Sequence, residues 1–195
     1  MKNIYKLFLV GLVLAGSTIS CTDSELPIDT LYNGVDVTGA FIRTLESPLQ
    51  LVTATNPANN FIAATIEIQE GQGNTNTFTE VRVFISTFND QDQLMPTLDA
   101  SGSPLGETLL STLPAADFVL SSQNRLPSNA FNIPTQTVLD LYPTAVFTLP
   151  TFIFVRLELE LADGRIFTNT NVGPTVASGN YFIAPFSYNI IFLNN

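Results

Sequence analysis

Cys21, the only cysteine in the 195-residue chain, is the side chain whose chemistry is easiest to specify. Its thiol follows Thr18-Ile19-Ser20. Further upstream lie a start carrying Lys2 and Lys6 and the apolar run Leu7 to Gly16. A basic start, a short apolar stretch and small residues at the cut describe an export signal. The run is far short of the ~20 apolar residues that span a bilayer. Read as a lipobox, Thr18-Ile19-Ser20-Cys21 directs a diacylglycerol onto the thiol, cleavage just ahead of it, and acylation of the new amino terminus. The competing reading is ordinary signal cleavage after Ser17, with Cys21 left as a stray thiol. A lone exposed thiol on an exported protein invites intermolecular disulfides, and the acidic run Thr22 to Asp29 suits a tether. Lipidation of Cys21 is therefore the expectation. Several acyl chains give a stable anchor where one is marginal, at ~0.8 kcal/mol per buried methylene.

Other reactive residues are scarce. The chain has no histidine, which removes Ser-His-Asp and Cys-His nucleophiles and most zinc and copper sites. Both lysines lie in the signal, so Schiff-base and P-loop chemistry has no candidate in the processed chain. Two acids at a suitable separation are enough for a glycosidase, and Glu158 and Glu160 stand roughly 6.6 Å apart along a strand. With Arg156 they read better as the wet face of that strand. Asn89, Asp90 and Asp92 resemble a fragment of a calcium loop, without the glycine and distal bidentate glutamate of an EF-hand; a solvated turn is the better reading. Sugar sites use aromatic platforms, yet the chain has no tryptophan, and its tyrosines after the signal are Tyr32, Tyr142, Tyr181 and Tyr188. The phenylalanines fall in strand patterns and are expected mostly in the core. No catalytic residue, metal site or cofactor is expected, and neither is an enzyme.

After cleavage five arginines remain against 17 acids, a net charge of −12. Such a chain has no basic patch for nucleic acid and should avoid anionic lipid apart from its anchor. Solubility is the plain reason for the acidity. Charged residues make up 12% of the chain and hydrophobic ones 45%, with 15 phenylalanines. That apolar content is too high for disorder beyond the tether, and the abundance of Thr, Val, Ile and Phe favours strands.

Strand patterns recur from Val35 onward. They cover Val35 to Leu45, Gln50 to Thr55, Phe61 to Glu70 and Thr79 to Phe88. Leu94 to Pro114 reads as irregular, with a helical turn near Glu107 to Leu110. Ala116 to Leu120 and Ala130 to Pro134 are short strands, and Thr135 is placed to cap a helix that Pro143 stops. Phe152 to Leu161 alternates most clearly, with Ile153, Val155, Leu157, Leu159 and Leu161 on one face. Asp163-Gly164 signals a two-residue hairpin, followed by strands over Ile166 to Asn171 and Tyr181 to Leu193. The organisation expected is a signal peptide (1–20), a lipidated tether (21–34) and one all-β domain (35–195). That domain is an antiparallel immunoglobulin-like β-sandwich with one short helix, a barrel being the alternative.

The run Asp163-Gly164-Arg165-Ile166-Phe167-Thr168-Asn169-Thr170-Asn171-Val172, then Tyr181-Phe182 and Ala184-Pro185-Phe186-Ser187-Tyr188, together with the lipobox, carries a resemblance. The chain resembles poorly characterised Bacteroidota lipoproteins that accompany starch-utilisation-system-type uptake proteins, over the signal and residues 151 to 195. The resemblance implies the outer membrane and an accessory, non-catalytic role in glycan uptake, with uptake proteins or a polysaccharide as partner. A structural or adhesive surface module is the alternative. Asp23 and Glu25 are similar to surface-export signals of that group, which implies the cell-surface face rather than the periplasmic one.

Overall fold

A computed structural model describes residues 39–71, 77–148, 150–172 and 186–193, all within the compact unit that starts at Thr38. Cys21, the tether, the start of the first expected strand and the Tyr181-Phe182 segment lie outside the described residues. In chain order come β1 (Ala40–Glu46), β2 (Leu51–Thr53), a 3-10 turn η1 (Pro57–Asn59), β3 (Phe61–Glu70), β4 (Phe78–Phe88), β5 (Leu98–Asp99) and β6 (Thr108–Pro114). Then follow η2 (Ala115–Asp117), β7 (Val119–Leu120), β8 (Pro127–Pro134), α1 (Thr135–Leu141), β9 (Ala145–Val146), β10 (Thr151–Leu161), β11 (Ile166–Phe167) and β12 (Ser187–Leu193).

These strands form an immunoglobulin-like β-sandwich. Sheet A runs β1-β3-β8-β7, sheet B runs β2-β12-β10-β4-β6, and β5 and β9 pair apart from both. The first stretch of chain is divided between the two: β1 is antiparallel to β3, while β2 is parallel to the last strand, β12. Among the described residues the two sheets share no strand and each ends in an unpaired edge, which is a sandwich rather than a closed barrel.

Period-two alternation builds the core. Ile42, Ile62, Ala64, Ile66, Ile68, Phe131 and Ile133 face inward from sheet A. Val81, Val83, Ile85, Ile153, Val155, Leu157, Leu159, Ile190 and Phe192 face them from sheet B. Each such aliphatic side chain contributes about 1.5–3 kcal/mol on burial. Two tyrosines fasten the core. The Tyr188 hydroxyl shares a 2.9 Å hydrogen bond with Thr44 across the two sheets, and burial pushes its pKa up to about 12. The Tyr142 hydroxyl, just past α1, donates to the Ile85 carbonyl at 2.6 Å, with the Gly106 carbonyl at 3.1 Å. Burial raises its pKa as well.

Several local expectations change. Glu107 to Leu110 is no helical turn: Thr108 and Leu109 pair with Ile85 and Phe84 as the start of β6, because the edge of β4 offers a ladder that outweighs local propensity. β8 starts at Pro127 rather than Ala130; a proline is tolerated as a strand's first residue. Thr135 opens α1 without capping it. Its amide and hydroxyl instead donate to the Asn60 carbonyl at 2.8 and 3.0 Å, tying α1 to the entry of β3. The hairpin loop has three residues, Ala162 to Gly164, closed by Leu161 and Arg165. Gly164 takes φ 84° there, the positive φ of a turn followed by a bulge. The Arg165 backbone N–H lowers the Asp163 pKa at the same turn. β11 covers only Ile166 and Phe167, since Asn171 turns back to bond Thr168 N and the Ile166 carbonyl.

Candidate functional site

The outer face of sheet B divides into two chemically distinct halves. Cross-strand registers line its residues into rows. At one end, Glu160 stands beside Glu80 and Glu158 beside Arg82; in the next row Arg156 stands beside Phe84. Arg82 reaches Glu160 at 2.9 Å, Glu158 at 3.5 Å and Glu80 at 3.7 Å. Arg156 grips Glu107 on the approach to β6 through Nε at 2.8 Å and Nη2 at 2.5 Å, and reaches Glu158 through Nη1 at 2.6 Å. Its guanidinium also lies 4.5 Å from the centre of the Phe84 ring. The fork hydrogen bonds to Glu107 hold the Arg156 pKa above its ordinary value, as expected of a bidentate, charge-assisted pair. Four carboxylates thus surround two guanidiniums, and the half keeps a negative surplus.

Among the described residues, the strand positions of the other half carry no charge. One row runs Leu51, Ile191, Phe152 and Phe88 across β2, β12, β10 and β4, and the next runs Asn189, Phe154 and Ser86. Alternation points these side chains away from the core, and the three outward phenylalanines Phe88, Phe152 and Phe154 are half-buried. Leu51 is 48% exposed. A cleft of about 180 Å³ opens here, lined by Phe152, Ile191, Gln50, Gln91 and Asn189. The Asn189 amide donates one long bond, 3.4 Å, to the Gln91 carbonyl, and its side-chain oxygen has no partner among the described residues. Aromatic faces, aliphatic edges and three amides therefore converge on one shallow recess.

The residues singled out from the sequence fall elsewhere. Glu158 and Glu160 do lie on the outward face of β10, but both are ion-paired within the charged half. Asp90 spends both carboxylate oxygens on its own loop, accepting Leu94 N at 3.0 Å and Met95 N at 2.6 Å. That closure holds Gln93 at φ 61°. Among the described residues no group of three or more Cys, Asp or Glu side chains is placed to hold a metal ion. Cys21 lies outside the described residues.

The cleft residues were missed, although their signal is in the sequence. The same alternation that puts Ile153 and Val155 inward puts Phe152 and Phe154 outward, in register with Arg156, Glu158 and Glu160. Phe84 and Phe88 share the outward register of Glu80 and Arg82. The expectation that phenylalanines are core holds for Phe78, Phe131, Phe186 and Phe192 and fails on this face. Sheet A shows the reverse exception. Glu67, which alternation with Ile66 and Ile68 would turn outward from β3, is 1% exposed. Arg43 pairs with it at 2.6 Å, and Asn124 donates to it at 2.6 Å from a loop folded over the sheet. No protein-family model and no curated protein matches this sequence.

Proposed function

We propose that this chain is an outer-membrane lipoprotein, held through acyl chains on Cys21, whose sandwich is a non-catalytic binding module accessory to nutrient uptake. The resemblance of its signal and C-terminal segment to starch-utilisation-system-associated lipoproteins supports the setting. The observation that carries the binding role is the uncharged half of sheet B's outer face. Strand alternation on a solvated sheet calls for polar residues there, and Phe152, Phe154, Phe88 and Ile191 stand in their place. Apolar side chains grouped on a surface mark an interaction site more often than scattered ones do. The charged half, with its acids tied to arginines, serves solubility.

The test is a pull-down from detergent-solubilised membranes using the full mature chain and its Phe152→Thr variant. Partners retained by the wild type and lost by the variant support a binding module; identical partner sets refute it. Mass spectrometry of the membrane-extracted protein checks the anchor, which requires an acylated Cys21 and no signal peptide. Protease shaving of intact cells checks the face: digestion before lysis supports the surface, and protection until lysis places the domain in the periplasm.

A further inference from the structure

We infer that the cleft beside Phe152 takes a neutral glycan, one or two sugar rings of a longer chain lying along the Phe152–Phe154 strip. This rests on the binding-module reading and names its ligand class. Three features select the ligand. The first is size. A cleft of about 180 Å³ is smaller than the roughly 300–1,000 Å³ of sites that engulf a small molecule. A stable protein partner needs about 800 Å² and 20–30 residues on each side, whereas the uncharged half comprises only two strand rows and the loop residues beside them. An open recess of this size suits a short stretch of polymer passing over it.

The second feature is the pairing of groups. A sugar ring presents C–H faces that pack on apolar and aromatic surface, and an equatorial rim of hydroxyls that both donate and accept. Phe152 and Ile191 supply the surface, and Gln50, Gln91 and Asn189 supply amides that donate and accept in turn. The Asn189 oxygen, a buried atom of a residue lining the recess, has no partner among the described residues, and its NH₂ is held by a single 3.4 Å bond. An under-satisfied amide gains from a hydroxyl that donates to it. A purely apolar occupant would leave it unpaired.

The third feature is charge. Among the described residues no cation lines the cleft; Arg156, further along β10, is committed to Glu107 and Glu158 and stacked on Phe84. The adjoining acids and the net charge of −12 repel a polyuronate or sulfated chain, most strongly at low salt.

Isothermal titration calorimetry of the full mature chain tests this with a neutral glucan, a neutral mannan and a polyuronate as probes. The variants are Phe152→Thr and Asn189→Ala, with Glu160→Gln in the charged half as control and a thermal melt to verify folding of each. The expected result is binding of at least one neutral glycan and none of the polyuronate. Binding should weaken tenfold or more in Phe152→Thr and about three- to tenfold in Asn189→Ala, and stay unchanged in Glu160→Gln. Polyuronate binding as tight as neutral glycan binding overturns the inference, and so does neutral binding indifferent to Phe152. If neither neutral glycan binds but the membrane pull-down still yields a Phe152-dependent protein partner, the glycan inference fails and the binding module stands. A Phe152-dependent dimer on light scattering, without glycan binding, assigns the strip to a second copy and overturns the inference. Failure of both calorimetry and pull-down to register Phe152 removes both readings.

Discussion

The two halves of one sheet face, built on the same strands and in the same register, follow opposite rules. Where Arg82, Arg156 and four glutamates stand, the outward positions of β4 and β10 are polar, and every acid has a counter-ion. A few rows along the same strands, the outward positions become Phe88, Phe152 and Phe154. The pairing of β4 with β10 runs in unbroken register between them, so the difference lies in the side chains. The charged half pairs its own ions, while the uncharged half shows apolar area and an amide oxygen with no partner among the described residues. Arg156 marks the border, with one side of its guanidinium on glutamates and the other on the Phe84 ring.

The largest expected effect tests whether the halves share one foundation. Leu157 is fully buried on the inward face at the level of that border, and Leu157→Ala should cost about 2–5 kcal/mol. Urea unfolding should show a single transition shifted to lower denaturant; two separate transitions would mean the halves are independently supported. Next comes the border itself. Arg156→Ala removes a bidentate pair and a ring stack, leaves Glu107 without its cation and leaves Glu158 with Arg82 alone, for an expected loss of about 1–2 kcal/mol. That loss should shrink as salt rises, and a salt-independent loss would assign it to packing alone. Phe152→Thr should do the opposite of Leu157→Ala, costing within about 1 kcal/mol because the side chain is only half-buried and threonine suits a strand. A much larger cost would make Phe152 a structural residue and the contrast between the halves false.

Alkaline pH separates the core from the face above it. Tyr188 has its folded pKa pushed from 10.0 to about 12, so the neutral phenol is favoured in the folded state. Its contribution is fully present below pH 10 and is lost as pH rises through about 12. Stability should fall across that window, and Tyr188→Phe should flatten the fall while costing about 1 kcal/mol at neutral pH through loss of the Thr44 bond. An unchanged alkaline profile in the variant would shift the responsibility to Tyr142. The smallest effect belongs to the hairpin: Arg165→Ala removes a pair with Asp163, whose side chain is about half-exposed, and the melting temperature should not move measurably.

The alternation of β3, β4 and β10 was readable because one face is aliphatic for ten residues or so, and that pattern fixes both the strand and its inward register. What alternation cannot supply is the meaning of the other register. Phe152 and Phe154 sit at its start, ahead of Arg156, and look like core residues until Phe88 and Ile191 arrive beside them from strands distant in sequence. Glu67 is hidden for the same reason, since its burial depends on Asn124 in a loop 57 positions away. Thr108 and Leu109 looked helical because their strand character comes from the edge of β4 rather than from their own sequence. Asp90 was readable as part of a turn but its partners were not, because the backbone amides of Leu94 and Met95 that occupy its carboxylate leave no trace in side-chain spacing.

The division of the first strand has a mechanical consequence. A pull on the chain ahead of Gly39 meets β1 first, bonded to β3 from Ala40 opposite Glu70 to Glu46 opposite Thr65. Past the crossing at 47–50, the same load arrives at β2, which lies parallel to β12 in the other sheet. Tension is therefore taken up by the two sheets in series, and peeling away one edge does not by itself release the next. A domain strung this way resists being tugged from its N-terminal side.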